Sequence, residues 1–195
     1  MNSLKKLSIL LLLLFAGIGA KAQSLVAIKT NLATDGFLTP NLGVEIGLAP
    51  KWSLDISGET ILWEVNRHKW KHWMVQPEAR YWFCDRFAGH FLGLHLLGGQ
   101  YNFGNISNNV KFLGSDFSEL TDYRFQGWAI GAGIGYGYSF ILSDHFNLEL
   151  EIGIGYMYTR YDKYDCNNCD TPLEKDAQHN YYGPTKLSIA LEYLF

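Results

Sequence analysis

Large apolar residues alternate one for one with small or polar residues over most of this chain, and a period of two is satisfied only by extended strands. The clearest stretch is 128–140, where Trp128, Ile130, Ala132, Ile134, Tyr136, Tyr138 and Phe140 point one way and Ala129, Gly131, Gly133, Gly135, Gly137 and Ser139 the other. Residues 148–158 repeat the scheme, with Leu148, Leu150, Ile152, Ile154, Tyr156 and Tyr158 against Glu149, Glu151, Gly153, Gly155 and Met157. At the C-terminus, 185–195 sets Leu187, Ile189, Leu191, Tyr193 and Phe195 against Lys186, Ser188, Ala190 and Glu192. Weaker versions occupy 25–33, 41–49 and 52–60, and two more lie at 73–83 and 90–101. No segment holds a 3.6-residue period, so the chain reads as all-β with eight strands.

The connections alternate in length. Short ones at 49–51, 84–89 and 141–147 are separated by long ones at 34–40, 61–72, 102–124 and 159–183. Short turns at one end and long loops at the other are the habit of membrane barrels, and an even strand number places both termini at the short-turn end. Composition agrees, with 15% aromatic residues and 20 glycines. Trp52, Tyr81, Phe83, Phe140, Tyr193 and Phe195 fall near the short turns, while Trp63, Trp73, Trp128, Tyr156 and Tyr158 fall toward the loops, as two girdles of amphipathic rings. The fold expected is an eight-stranded antiparallel up-and-down transmembrane β-barrel. Pro77 resists it: lying mid-strand without a backbone N–H, it predicts a bulge or a displaced strand boundary.

The first 22 residues read as a signal peptide. Lys5 and Lys6 precede an apolar run from Leu7 to Ile18, and Ala20-Lys21-Ala22 supplies small residues at the cleavage positions. Cleavage after Ala22 leaves residues 23–195 as one barrel domain, destined for the outer membrane. Taking Lys5, Lys6 and Lys21 from the 16 basic residues leaves 13 against 19 acidic, a net charge of −6. That balance argues against nucleic acid as a partner.

Eight strands enclose a space just wide enough for side chains to fill, which excludes a wide diffusion pore. The inward positions include Lys29, Glu45, Asp55, Glu59, Glu78, Arg80, Glu149, Glu151, Lys186 and Glu192. Buried charges must pair or stay wet, so these ten are expected to form a lumen charge network centred on Arg80 and Lys186, a structural role. The inward glycines 131, 133, 135 and 137 should leave room for the two long cations to cross.

Among other motifs, Cys166-Asn167-Asn168-Cys169 admits a loop disulfide, a metal site with His179, Asp165 or Asp170, or free thiols; the disulfide is the reading preferred. Cys84 sits at the opposite end, about 25 Å away across the apolar band, far beyond disulfide reach, and should be unpaired. Arg67-His68-Lys69-Trp70-Lys71-His72-Trp73 reads as a solvated loop beside a girdle, or as a grip on lipid phosphates. No nucleophile, base and carboxylate can be assembled from His90, His95, Ser139, Ser143 and Ser188, so no catalytic residue, cofactor or resident metal is expected.

Several stretches carry a resemblance. Thr39-Pro-Asn-Leu-Gly-Val-Glu45, Trp70-Lys-His-Trp73, Gln76-Pro-Glu-Ala-Arg-Tyr-Trp-Phe-Cys84, Gly89-His-Phe-Leu-Gly-Leu-His95, Gly127-Trp128, Gly135-Tyr-Gly-Tyr138, Tyr161-Asp-Lys-Tyr164, the CxxC and Tyr182-Gly-Pro-Thr-Lys186 resemble a Bacteroidetes family known as domain of unknown function 3575. The resemblance spans nearly the whole mature chain and implies an outer-membrane barrel of a Gram-negative anaerobe, near surface fimbriae, with no assigned catalytic residue. The expectation is therefore a non-enzymatic barrel in contact with outer-membrane lipid, assembled through recognition of C-terminal Phe195. Its loops 102–124 and 159–183 would contact an envelope or fimbrial component. A narrow ion-conducting pore and a lipid-modifying enzyme are the alternatives.

Overall fold

The computed structural model describes residues 25–61, 69–104, 111–112, 115–116, 123–165 and 171–195. The N-terminal segment 1–22, Trp63, Arg67, His68 and the pair Cys166 and Cys169 lie outside the described residues. Eight strands form the main sheet: β1 (Val26–Asn31), β2 (Asn41–Ala49), β3 (Trp52–Ile61), β4 (Lys69–Trp82), β5 (Gly89–Gly104), β6 (Tyr123–Ile141), β7 (Phe146–Asp165) and β8 (Pro172–Leu194). Each is antiparallel to its neighbours, and β1 closes on β8 through Ala27–Leu194 to Asn31–Ala190, so the sheet is a hydrogen-bonded ring, a closed barrel. A separate pair, Lys111–Phe112 with Ser115–Asp116, stands apart from it.

The alternation decides which face is inside. Along β6, Trp128, Ile130, Ile134, Tyr136 and Phe140 are exposed, while Ala129 and Ser139 are buried. The same parity leaves Ile28, Leu42, Ile46, Ile56, Val75, Leu92, Leu94, Leu96, Ile152, Ile154, Leu187 and Ile189 exposed on the outer surface, one apolar belt around the ring. Rings pair off below and above the belt: Trp52 with Tyr81, Tyr138 with Phe140 and Tyr193 with Phe195 toward the short turns, Trp128 with Tyr158 and Tyr156 with Tyr182 toward the other end.

Several expected boundaries are corrected. Strand β1 stops at Asn31, because the Asn31 side chain accepts from the Ala33 N–H at 3.1 Å and starts a short helix, α1 (Leu32–Gly36), in place of further strand to 33 and loop. Asn41 holds that cap, donating to the Asn31 carbonyl at 3.1 Å and to Asp35 at 2.8 Å. Lys69–Trp73 belongs to β4 and not to a loop. The long loop 159–183 is largely strand, since β7 reaches Asp165 and β8 starts at Pro172, while of 102–124 the two ends are strand, β5 running to Gly104 and β6 starting at Tyr123. With 16, 19, 20 and 23 residues against 6, 9 and 10 in β1–β3, strands β5–β8 stand above the ring as a one-sided wall.

Pro77 makes no bulge. The Trp82 N–H bonds the Lys51 carbonyl at 2.9 Å, which fixes the hydrogen-bond alternation so that Ile56 and Pro77 face each other where neither uses its N–H. The missing donor points at β5, where pairing lapses between Val75–Gly98 and Glu78–His95 and resumes in the same register. A bulge within the ring lies instead in β8, where Pro184 faces Ile154 but Lys186 faces Gly153. One extra residue reverses the parity: Tyr182 is exposed before it and Leu187 after it, and Thr185 and Lys186 both turn inward.

Candidate functional site

The lumen is built in layers. At the short-turn end Ala27, Trp82, Phe87, Phe91 and Leu194 form a buried apolar floor. Phe87 comes from the β4–β5 turn, with φ of 63°, and its carbonyl accepts from Ser139 Oγ at 3.1 Å and Asn147 Nδ2 at 2.7 Å. Read only as part of a turn, Phe87 gives no sequence signal beyond being apolar among polar neighbours. Trp82 packs against Phe91 with the rings tilted at 43° and 4.7 Å between centroids, and donates to Ser53 Oγ at 2.8 Å.

Above the floor lies an ion network with Arg80 at its centre. Its Nη1 bonds Glu45 at 2.6 Å and Glu149 at 2.8 Å, its Nη2 bonds Glu151 at 2.7 Å, and its Nε bonds Glu78 at 2.5 Å. The guanidinium also lies 4.5 Å from the centre of the Phe91 ring, joining the network to the floor. Lys29 Nζ reaches Glu45 at 2.5 Å, Asp55 at 3.3 Å and Glu149 at 3.5 Å; Lys186 Nζ reaches Glu78 at 2.7 Å and Glu151 at 3.1 Å. Eight of the ten inward charges thus share one buried network drawn from β1, β2, β3, β4, β7 and β8. Glu59 stands apart, 3.5 Å from His72, and Glu192 accepts from Asn147 Nδ2 at 3.2 Å. Glu45, Glu149 and Glu192 bring carboxylate oxygens within 4.8 Å of one another. Lys29 and Arg80 already bind two of the three, so the trio is the acidic side of the ion network.

The inward glycines serve neighbours other than the two cations. A methyl group at Gly133 would meet His95 Nε2 and the Ile154 carbonyl, each at 2.6 Å; one at Gly137 would overlap the Phe91 ring, and one at Gly135 would strike Glu151. The room is taken by His95, Phe91 and Glu151, not by Arg80 and Lys186.

His95, fully buried, occupies the next layer, with Nε2 2.8 Å from Thr185 Oγ1 and Nδ1 3.6 Å from Glu78 Oε2. Hydroxyl, imidazole and carboxylate fall in the order of a nucleophile, base and orienting acid. The geometry differs in kind, because Glu78 is already held by Arg80 and Lys186 and its distance to Nδ1 exceeds a hydrogen bond. The trio is a strut between β4, β5 and β8. His95 shares the inward parity of Phe91, Gly93 and Leu97, and that parity is the signal by which it could have joined the lumen set.

Above this layer the wall opens a cavity of about 550 Å³, lined by Leu97, Tyr101, Phe125, Met157, Tyr161 and Tyr181 among others. On the cavity wall Tyr101 and Thr159 share a hydrogen bond of 2.5 Å. Cys84, in the turn at the opposite end, is exposed and free.

These elements fall within one matched profile, that of a protein family of unknown function, DUF3575, which covers residues 8–195. The chain belongs to the DUF3575 family. No curated protein matches it. The match spans every layer of the lumen and all eight strands, so the ring and its ion network lie within the family domain and are not additions to it.

Proposed function

We propose that this protein is an outer-membrane β-barrel of a Gram-negative bacterium of the Bacteroidetes, exported with a signal peptide cleaved after Ala22. It performs no catalysis and presents its wall to an envelope or fimbrial component outside the cell. The observation that carries the reading is the exposed apolar belt bounded by aromatic pairs, a surface far larger than soluble proteins leave uncovered. Trp128 and Phe140, one from each girdle, are twelve residues apart on β6. At about 3.3 Å per residue and a tilt of about 40°, that separation spans about 30 Å along the barrel axis, the depth of a bilayer's apolar core. Lipid covers the belt, and Phe195 at the end of β8 is the residue offered to the assembly machinery.

The filled lumen supports a sealed barrel. Trp82 and Phe91 are fully buried at the floor, and Arg80 with its carboxylates fills the layer above. Detergent-extracted outer membrane is expected to give a heat-modifiable band, and planar bilayers containing the purified protein no stepwise conductance. Recovery in soluble periplasmic extract would remove the membrane reading. Conductance steps would remove the sealed lumen, and a changed lipid A mass on deletion would remove the non-enzymatic assignment.

Orientation has its own test. The short turns face the periplasm, so the exposed Cys84 thiol is expected to resist a membrane-impermeant maleimide in intact cells and to react once the outer membrane is permeabilised. Read in a Cys166→Ser, Cys169→Ser background, labelling of intact cells would invert the topology.

A further inference from the structure

We propose that the base of the ion network binds one divalent metal ion, calcium by its chemistry, through the carboxylates of Glu45, Glu149 and Glu192. The site goes beyond the function proposed above and needs only the closed ring.

Strands β2, β7 and β8 each send one carboxylate to this level, and an oxygen of each lies within 4.8 Å of the other two. All three side chains are wholly buried. No local motif announces them, because positions 45, 149 and 192 meet only when the ring closes. Their protein partners account for part of each group. Lys29 and Arg80 bond the Oε2 atoms of Glu45 and Glu149, Ser53 donates to Oε1 of Glu45, and Asn147 donates to Oε2 of Glu192. The Oε1 atoms of Glu149 and Glu192 are buried and have no hydrogen-bond donor.

A neutral side chain beside the trio carries a second, independent observation. Asn147 is wholly buried, contacts Glu192 through its Nδ2 at 3.2 Å, and leaves its Oδ1 without a donor as well. Buried acceptors without donors are uncommon, because each has given up its hydration for nothing. A cation meets such oxygens directly and needs no donor. The charge of the network points the same way. Six buried acids face the three cations Lys29, Arg80 and Lys186, which leaves three negative charges that no lysine or arginine of the network balances. A water molecule in the same place would bring donors but no charge. Carboxylate and amide oxygens, with no thiolate or imidazole among them, suit magnesium and calcium over the softer transition metals. Calcium, at about 2.3–2.6 Å from each ligand, joins oxygens up to about 5 Å apart and accepts an irregular shell. Magnesium demands an octahedron at about 2.0–2.1 Å and keeps several waters, which a wholly buried layer between Arg80 and the Trp82–Phe91 floor does not favour.

The test uses the full chain, refolded into detergent with EDTA or with calcium and freed of unbound metal before analysis. The calcium sample is expected to hold one calcium per chain. Terbium, which takes calcium's oxygen sites, supplies the second readout, because its emission is sensitised by a nearby indole. Trp82 is placed for this, donating to Ser53, which in turn donates to Glu45. Sensitised emission from the EDTA-refolded chain is expected to saturate with terbium and to be displaced by calcium, with magnesium at least about tenfold less effective. Glu192→Gln keeps the shape and removes one charge, and is expected to weaken terbium by at least about tenfold. Glu59→Gln alters an acid that stands apart with His72 and should bind like the parent. No saturation by about 1 mM, magnesium as effective as calcium, or parent-like affinity in Glu192→Gln would each overturn the proposal. All samples are run heated and unheated, so binding is read on folded protein. Folded parent that retains no calcium overturns the proposal whether or not Glu192→Gln folds.

Discussion

Arg80→Ala is expected to leave no heat-modifiable, folded protein in the membrane fraction. Arg80 is the residue through which four carboxylates, Glu45, Glu78, Glu149 and Glu151, are neutralised together at 2.5–2.8 Å. Its removal leaves the six buried acids Glu45, Asp55, Glu78, Glu149, Glu151 and Glu192 facing two remaining cations, Lys29 and Lys186. Removing one partner of a buried ion pair costs about 3–5 kcal/mol, and whole domains are stable by only about 5–15 kcal/mol, so the loss of a shared partner exhausts the margin. Arg80→Lys keeps the charge but not the fork. One ammonium cannot reach Glu45 and Glu149 on one side and Glu151 on the other while also holding Glu78, so an intermediate loss is expected. The measurement is the urea midpoint of the heat-modifiable band in refolded samples. An Arg80→Ala midpoint within about 1 kcal/mol of the parent would show that the network is wet and that the buried pairs contribute little.

How far the fold can be read from the chain depends on the contrast between the two faces of each strand. Along β6 that contrast is greatest, Ile134 against Gly133 and Gly135, and its lower boundary at Ile141 lies within one residue of the expected 140. Beyond the girdle the outer face no longer has to be apolar. Stretches such as Tyr161-Asp162-Lys163 and Gln178-His179-Asn180 are strands with polar or mixed faces, and they read as loop although β7 and β8 run straight through them. Parity alone assigns the ten charged residues to the interior. It cannot say that Glu59 would stand with His72 while eight others share one network, because that depends on stagger between strands distant in sequence. Nor does it foresee Thr185. A bulge turns two successive residues to one face, and a strictly alternating reading has no place for that; Pro77 looks the more disruptive proline, yet its absent donor merely leaves one gap toward β5.

Ile134→Arg should separate a lipid-covered belt from a water-exposed one. Ile134 lies midway between Trp128 and Phe140 on β6, and it joins Leu94 of β5 and Ile154 of β7 in one row across three strands. All three are exposed, at 61%, 60% and 58% for Leu94, Ile134 and Ile154. In water, an exposed strand position of this kind tolerates arginine within about 0.5 kcal/mol. At the midplane of a bilayer the same substitution on the lipid face of a barrel costs about 2–4 kcal/mol, falling toward zero near the interfaces. The expected result is a depth profile: a large loss for Ile134→Arg, and losses near zero for Phe140→Arg at one girdle and for Gln178→Arg, which shares the row of Trp128 and Arg160, at the other. All are read as folding free energies in lipid vesicles. A flat profile would mean that the belt is covered by something other than hydrocarbon, such as a partner protein, and the eight-stranded ring would then have to be explained as the core of a larger assembly.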